Sequence, residues 1–181
     1  MVAVGGNVAS AIGDPKSTIQ AALNALADSP LTVEKTSRLY ESPCFPAGAG
    51  PDYVNAASLL SADVNPRDVL DILHQIEADF GRLRVQRWGQ RCLDLDLIAF
   101  GDAVLPDPAT YHRWRDLPLD RQKTEAPDQL ILPHPRMHER AFVLIPLAEI
   151  APDWMHPVLG QTVAELAAAL PDADKSALTP L

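Results

Sequence analysis

The chain has 181 residues, 47% of them hydrophobic, and 15 Lys and Arg against 24 Asp and Glu for a formal charge of −9. That length suits one domain with a core of its own, and the acidic balance argues against a general nucleic-acid binder. No apolar run reaches about 18 residues, the start MVAVGGN lacks a secretory pattern, and Cys44 and Cys92 form no CxxC pair; the expectation is a cytoplasmic protein with reduced thiols and no membrane span.

Residues 2–5 read as a short strand ending at Gly5-Gly6-Asn7, where glycine permits a tight turn or close backbone approach. Residues 14–28 predict a helix, with Asp14 as cap, Pro15 in the first position and Ile19, Ala22, Leu23 and Leu26 on one face. A strand over 31–40 and a Pro- and Gly-rich loop over 42–52 precede a second strand over 53–62. The helix over 66–80 is the clearest: Asn65 caps it, Pro66 opens it and Gly81 stops it. A basic loop leads to a strand over 93–100. Residues 103–129, with four prolines and little periodicity, predict an insertion with short helical turns of its own. A partly helical stretch over 136–149 and a capped helix over 163–170 follow, and 171–181 is expected to fray. The order βαββαβ predicts an α+β domain over 1–170, with helices on one face of an antiparallel sheet.

Asp94-Leu95-Asp96 is the sharpest chemical feature. Strand alternation puts both carboxylates on one side, about 6–7 Å apart, with Leu93, Leu95 and Leu97 on the other. Such a pair needs countercharge, which Mg²⁺ supplies when it takes one or two carboxylates plus substrate phosphates. A solvated polar strand face is the plain alternative for so short a motif. Just upstream, Arg82, Arg84, Arg87 and Arg91 put +4 on residues 81–91. Guanidinium forks suit phosphate, so the two features together point to phosphoryl transfer; arginines that only neutralise Asp94, Asp96 and Glu77 are the alternative. His134 between two prolines, with Arg140 nearby, suits a ligand contact or simply a turn. Its spacing to His138 lacks the glutamate of a zinc motif. Ser42, Pro43, Phe45, Tyr53 and Asn55 suit a flat heterocycle, or a rim of the core. Neither GxxxxGK[ST] nor the protein-kinase signatures occur.

In chain order, Gly5-Gly6-Asn7, Tyr40 with Ser42-Pro43, PDYVNAA at 51–57, GRLR at 81–84, RWGQRCLDLDLI at 87–98, LPHPR at 132–136 and RAFVLIPLAEIAP at 140–152 resemble the 6-hydroxymethyl-7,8-dihydropterin pyrophosphokinases of folate biosynthesis. The resemblance implies a ferredoxin-like fold, three layers α/β/α. It implies transfer of diphosphate from ATP to the pterin hydroxymethyl group, giving AMP. By the family's pattern, Asp94 and Asp96 hold two Mg²⁺ ions, and Arg82 and Arg91 steady the transferring group. Glu77, Arg84, Trp88, Arg91, Ile98, His134 and Arg140 fall at the nucleotide. Ser42, Pro43, Phe45, Tyr53, Asn55 and Phe142 fall at the pterin, with Tyr53 and Phe142 sandwiching the ring. A monomer, with no nucleic-acid or membrane partner, is also implied. Gln90, Cys92, Pro135 and Gln129 depart from the pattern, and the 103–129 insertion, longer than in compact members, is expected to pack beside the nucleotide. Two rivals remain open: another Mg²⁺-dependent nucleotide kinase, and a nucleotide- or pterin-binding module without catalysis.

Overall fold

The computed structural model describes residues 1–44, 48, 50–81, 91–122 and 124–181. The elements run β1 (Val2–Gly6), α1 (Pro15–Ala27), β2 (Thr32–Thr36), β3 (Tyr40–Ser42), β4 (Tyr53–Ser61), α2 (Pro66–Asp79) and β5 (Asp94–Leu97). Then come α3 (Pro108–Arg115), α4 (Leu119–Gln122), α5 (Ala141–Ile150), α6 (Val163–Ala169), α7 (Asp172–Ser176) and β6 (Thr179–Pro180). The helix starts follow the side chains. The Asp14 carboxylate accepts from Ser17 N–H and the Asn65 amide oxygen from Arg67 and Asp68 N–H, and a proline follows each cap. Thr162 and Glu165 form the reciprocal capping box of α6.

The described strands form one antiparallel sheet in the order β5-β1-β4-β3-β6, with β2 also on β4. Alternation along each strand divides the core. Val2, Val4, Val54, Ala56, Leu95 and Leu97 meet α1 and α2 on one face. Met1, Ala3 and Ala57 meet α5 and α6 on the other. Helices therefore cover both faces, as the three-layer expectation required, and not one face as element order alone suggested. Apolar stripes on four helices leave neither face of the sheet for water. No helix among the described residues is long and apolar enough to cross a membrane.

Two segments differ from expectation. The single strand over 31–40 breaks into β2 and β3 at Ser37. There the Ser37 hydroxyl accepts from Ala57 N–H at 2.9 Å, so a side chain replaces a ladder bond. The C-terminal end does not fray: Thr179 and Pro180 pair with Glu41 and Tyr40, and Leu181 N–H donates to Leu39 C=O at 2.9 Å. The open edge of β3 supplies partners that no local pattern in 171–181 announces.

At the end of β1 the chain passes very close to the segment before β5. A Cβ on Gly6 would overlap the Cys92 carbonyl oxygen, which is backbone and cannot swing away. Gly6→Ala is expected to cost about 1–3 kcal/mol by overpacking. At this chain length that lowers Tm by roughly 2–12 °C in a thermal melt.

Candidate active site

Register assembles the site. Asp94, Gly5, Asn55 and Tyr40 are successive Cα partners across β5, β1, β4 and β3, and Asp96, Ala3 and Ala57 make the neighbouring row. Both carboxylates thus leave the sheet on the α5 side, while Leu93, Leu95 and Leu97 are buried on the other. Gly5 adds no side chain between Asp94 and Asn55; a Cβ there would lie 3.3 Å from Asn55 Oδ1.

Among the described residues β5 is an edge strand, and Leu95 N–H meets no further strand there. It donates instead to Glu77 Oε1 at 2.7 Å. Glu77 is 2% exposed, and its carboxylate lies against the edge of the strand that carries both aspartates. The structure brings Glu77 to the strand's backbone, so it supports Asp94 and Asp96 from behind.

Two arginines supply countercharge. Arg91 pairs with Asp94, and Arg140 Nη1 lies 4.0 Å from Asp96 Oδ2. Burial depresses the Arg140 pKa, and the nearby Asp96 and Asp94 oppose that shift. His134 sits beside Arg140, with Nε2 3.4 Å from Nη1. Burial first, then the Arg140 charge, lower the His134 pKa to about 3, so the ring is neutral at pH 7. Its Nδ1 accepts from Arg136 N–H at 3.1 Å, which puts the ring proton on Nε2. His134 is therefore neutral; its Nε2–H and the Arg140 Nη1 group are both donors, so their 3.4 Å approach is no hydrogen bond and both can donate to an acceptor on that side. Ile98, expected at the nucleotide, is fully buried in the core. Its carbonyl accepts from His134 N–H at 2.7 Å, so it anchors His134 through the backbone.

On the other side of Gly5, Asn55 Nδ2 donates to Ser42 Oγ at 2.9 Å, both residues buried. Tyr53 is the register partner of Ser42. Its hydroxyl pKa is raised, chiefly by burial, with Arg91 opposing and Asp94 and Cys44 adding to the shift; the tyrosine thus lies within electrostatic reach of the arginine–aspartate pair. Pro43 is exposed. Phe142, at the start of α5, is 39% exposed with the Arg140 guanidinium 5.6 Å from its ring centre. Phe45, Arg82, Arg84, Trp88 and Gln90 lie outside the described residues.

Asn7 has a larger part than its place in a turn suggested. It is 3% exposed and bonds to both Arg91 and Pro51. The signal for it was a polar amide directly after Gly-Gly at the end of a buried strand.

Asp94 and Asp96 have side chains 19% and 40% exposed. Among the described residues no group of three or more His, Cys, Asp or Glu forms a ready metal cage. Two partly exposed carboxylates on one strand face fit a hard cation that completes its shell from substrate oxygens and water, as Mg²⁺ does.

The sequence matches the family described as 7,8-dihydro-6-hydroxymethylpterin-pyrophosphokinase (HPPK) over residues 1–152. A 2-amino-4-hydroxy-6-hydroxymethyldihydropteridine pyrophosphokinase of Synechocystis sp. is 40% identical over 167 residues, 92% of this chain and 73% of that protein. A protein of the same name from Pseudomonas aeruginosa is 40% identical over 171 residues, 94% of this chain and 90% of its own. Among solved structures, Plasmodium falciparum HPPK-DHPS wild type with pteroate aligns with TM-score 0.62 at 14% identity. The alignment covers 92% of this chain but 41% of that one, and at this identity it speaks for the fold alone.

The depressed His134 pKa has a sign. An unfolded histidine titrates near pH 6.5, so the unfolded chain takes up this proton where the folded one does not. The stability contribution is whole above about pH 6.5 and is lost as pH falls toward the folded value of about 3. In ¹⁵N-resolved NMR the His134 ring is expected to keep the Nε2–H pattern from pH 8 to 5; a titration near 6.5 would contradict its placement. His134→Gln is expected to flatten the loss of stability below pH 6.5.

Proposed function

This chain belongs to the 7,8-dihydro-6-hydroxymethylpterin-pyrophosphokinase family, and we propose that its reaction takes place on the α5 side of the β5-β1-β4-β3 row. The enzyme is an ATP-dependent diphosphotransferase of folate biosynthesis, passing diphosphate to the hydroxymethyl group of 6-hydroxymethyl-7,8-dihydropterin. In the reaction the hydroxymethyl oxygen bonds to the β-phosphorus of ATP, the bond from that phosphorus to the α–β bridging oxygen breaks, and AMP leaves; the hydroxyl proton is released. One observation carries the assignment of the site: two same-side carboxylates, each with an arginine, beside a buried Asn–Ser pair in the same sheet rows.

Each residue has a task. Arg91 and Arg140, with Arg82 from the basic stretch, draw the phosphate oxygens and hold them in place; charge neutralisation and positioning are most of what phosphoryl transfer needs. His134 donates from Nε2 without carrying a proton that ambient pH removes. Glu77 keeps β5 in register, so the aspartates stay fixed. Arg84 and Trp88 complete the nucleotide side by their place in the family's pattern. On the pterin side Asn55, Ser42 and the turn at Pro43 meet the edge of the ring. Tyr53 and Phe142 cover its faces, and Phe45 joins them by its place in the family's pattern; the exposure of Phe142, uncommon for so large an apolar side chain, supports this.

We assign Mg²⁺, as two ions, to Asp94 and Asp96. When bound, the metal neutralises phosphate charge and acidifies a nearby hydroxyl. The reading extends to one catalytic unit over 1–170, acting as a cytoplasmic monomer. Among the described residues Cys44 and Cys92 form no disulfide, which is in keeping with reduced thiols.

Chromatography of the nucleotide products tests the assignment. With Mg²⁺, ATP and reduced hydroxymethylpterin, AMP is expected only when the pterin is present; ADP would instead indicate an ordinary kinase. Asp94→Asn and Asp96→Asn are each expected to lower kcat at least about 100-fold, in line with loss of an electrostatic stabiliser. Unchanged rates would remove the carboxylates from the site.

A further inference from the structure

Asn7 directly follows β1 and bonds to residues on both halves of the proposed site. Its Oδ1 accepts from Arg91 N–H at 3.0 Å, and its Nδ2 donates to Pro51 C=O at 3.1 Å. Its own N–H donates to Arg91 C=O at 2.9 Å. The orientation of the amide is fixed by chemistry, since N–H is only a donor and a prolyl carbonyl only an acceptor. Asn7 is 3% exposed, so water offers neither group a replacement. Among side chains of this length, only an amide accepts and donates through one rigid fork.

The two partners belong to different substrates. Arg91 is paired with Asp94, on the nucleotide side. Pro51 lies two residues before Tyr53, where β4 begins on the pterin side. The turn around Pro51 is itself tied inward: Cys44 N–H donates to Asp52 Oδ1 at 3.3 Å, and Cys44 and Gly50 bond through the thiol at 3.0 and 3.2 Å. We propose that Asn7 is a positioning residue that couples the two substrate halves, so that the state of Arg91 sets the position of the pterin-side turn at Pro51 and the reverse.

The physical reason lies in competition for Asp94. Polyphosphate and a divalent cation both contend for the Arg91–Asp94 ion pair, so nucleotide binding has to rearrange Arg91. Asn7 holds the backbone of Arg91 by its N–H and by its carbonyl. A shift there is therefore not absorbed locally; it reaches Pro51 through one planar amide. A coupling of this kind is a free energy shared between two ligands, so it must be reciprocal.

The inference rests on the site assignment above, and the test separates the two. The dissociation constant of 6-hydroxymethylpterin is measured with and without α,β-methylene-ATP and Mg²⁺, and that of the nucleotide with and without the pterin. In the wild type each ligand is expected to tighten the other by the same factor, about 5-fold or more. Asn7→Asp keeps the acceptor for Arg91 N–H but turns an oxygen toward Pro51 C=O. It is expected to bind nucleotide alone within about threefold of wild type while the coupling factor falls toward 1. Asn7→Leu removes both bonds and is expected to lose the coupling as well. A variant that is merely less stable would keep the factor, because a ratio of affinities is insensitive to the folded fraction. Coupling retained in both variants, or absent from the wild type, overturns the inference while leaving the site assignment intact. A wild type that binds pterin in neither state overturns the assignment and the inference together. Should the variants fail to fold, amide hydrogen exchange on the wild type decides: pterin alone is expected to slow exchange at Arg91 N–H, and an unchanged rate overturns the coupling.

Discussion

Asp94 and Asp96 are two negative charges on one strand face, and much of the molecule around them answers their repulsion. Arg91 pairs with one, and Arg140 approaches the other from the start of α5. Bringing Arg140 in has a cost, visible as its depressed pKa, which the aspartates partly offset. It also forbids a second positive charge nearby, and burial together with that charge keeps His134 neutral. The backbone is held with equal care. β5 lies at the sheet edge, where one residue of slip would exchange the aspartates with the leucines. Its pairing with β1 and the Glu77 bond to Leu95 N–H oppose that slip from both sides.

The pterin-side strand is held by a different device. Glu149 stands in the last turn of α5, where the helix dipole disfavours a carboxylate. It remains there because three groups donate to it: Arg38 N–H, the Arg38 guanidinium and the Tyr40 hydroxyl. Burial pushes the Glu149 pKa up, and these bonds more than reverse that, leaving it below the usual range. The Arg38 side chain is 65% exposed, so the charge pair itself contributes little. The structural gain comes from Tyr40, which is 4% exposed and shares a sheet row with Asn55, Gly5 and Asp94. α5 carries Arg140 and Phe142 at one end and grips β3 at the other, so one helix spans the site.

Local patterns announced what local physics decides. Period-two alternation around Leu93–Leu97 was readable because strand side chains alternate whatever the partner. The caps at Asp14, Asn65 and Thr162 were readable because each acts within three residues. The break at Ser37 was not, since its hydroxyl bonds to Ala57, 20 residues away. The two partners of Asn7 lie 44 and 84 residues distant, so its neighbours reveal only an amide after two glycines. Glu77 reads in the sequence as a charge near other charges; the structure adds a bond from a backbone N–H that the edge position of β5 leaves to it. The chemistry of the site was thus legible in its residue types, while the residues that hold it still depend on topology.

The insertion at 103–129 illustrates the same division. It was expected to pack beside the nucleotide, and several of its basic residues are engaged locally: Arg113 over the Trp114 ring, Arg115 on Asp116 and Arg121 on Glu125. What reaches the rest of the protein is an aromatic ring. Tyr111 is fully buried, and its hydroxyl meets His156 Nε2 at 3.1 Å. His156 Nδ1 accepts from Val158 and Leu159 N–H, so the proton on Nε2 points at the tyrosine; burial lowers the His156 pKa to about 4, which keeps that arrangement at neutral pH. Magnitudes favour such an anchor. Doubling the length of a loop costs only about 0.6 kcal/mol of closure entropy, whereas burying one large apolar side chain contributes about 1.5–3 kcal/mol. A single well-seated tyrosine therefore outweighs the extra chain. With α3 held there, the Leu117 carbonyl is in place to accept from the Arg136 guanidinium at 3.4 Å, and Arg136 N–H in turn sets the tautomer of His134. Among its described residues, the insertion reaches His134 through the Leu117 carbonyl and Arg136, by backbone and shape and not by a charge of its own.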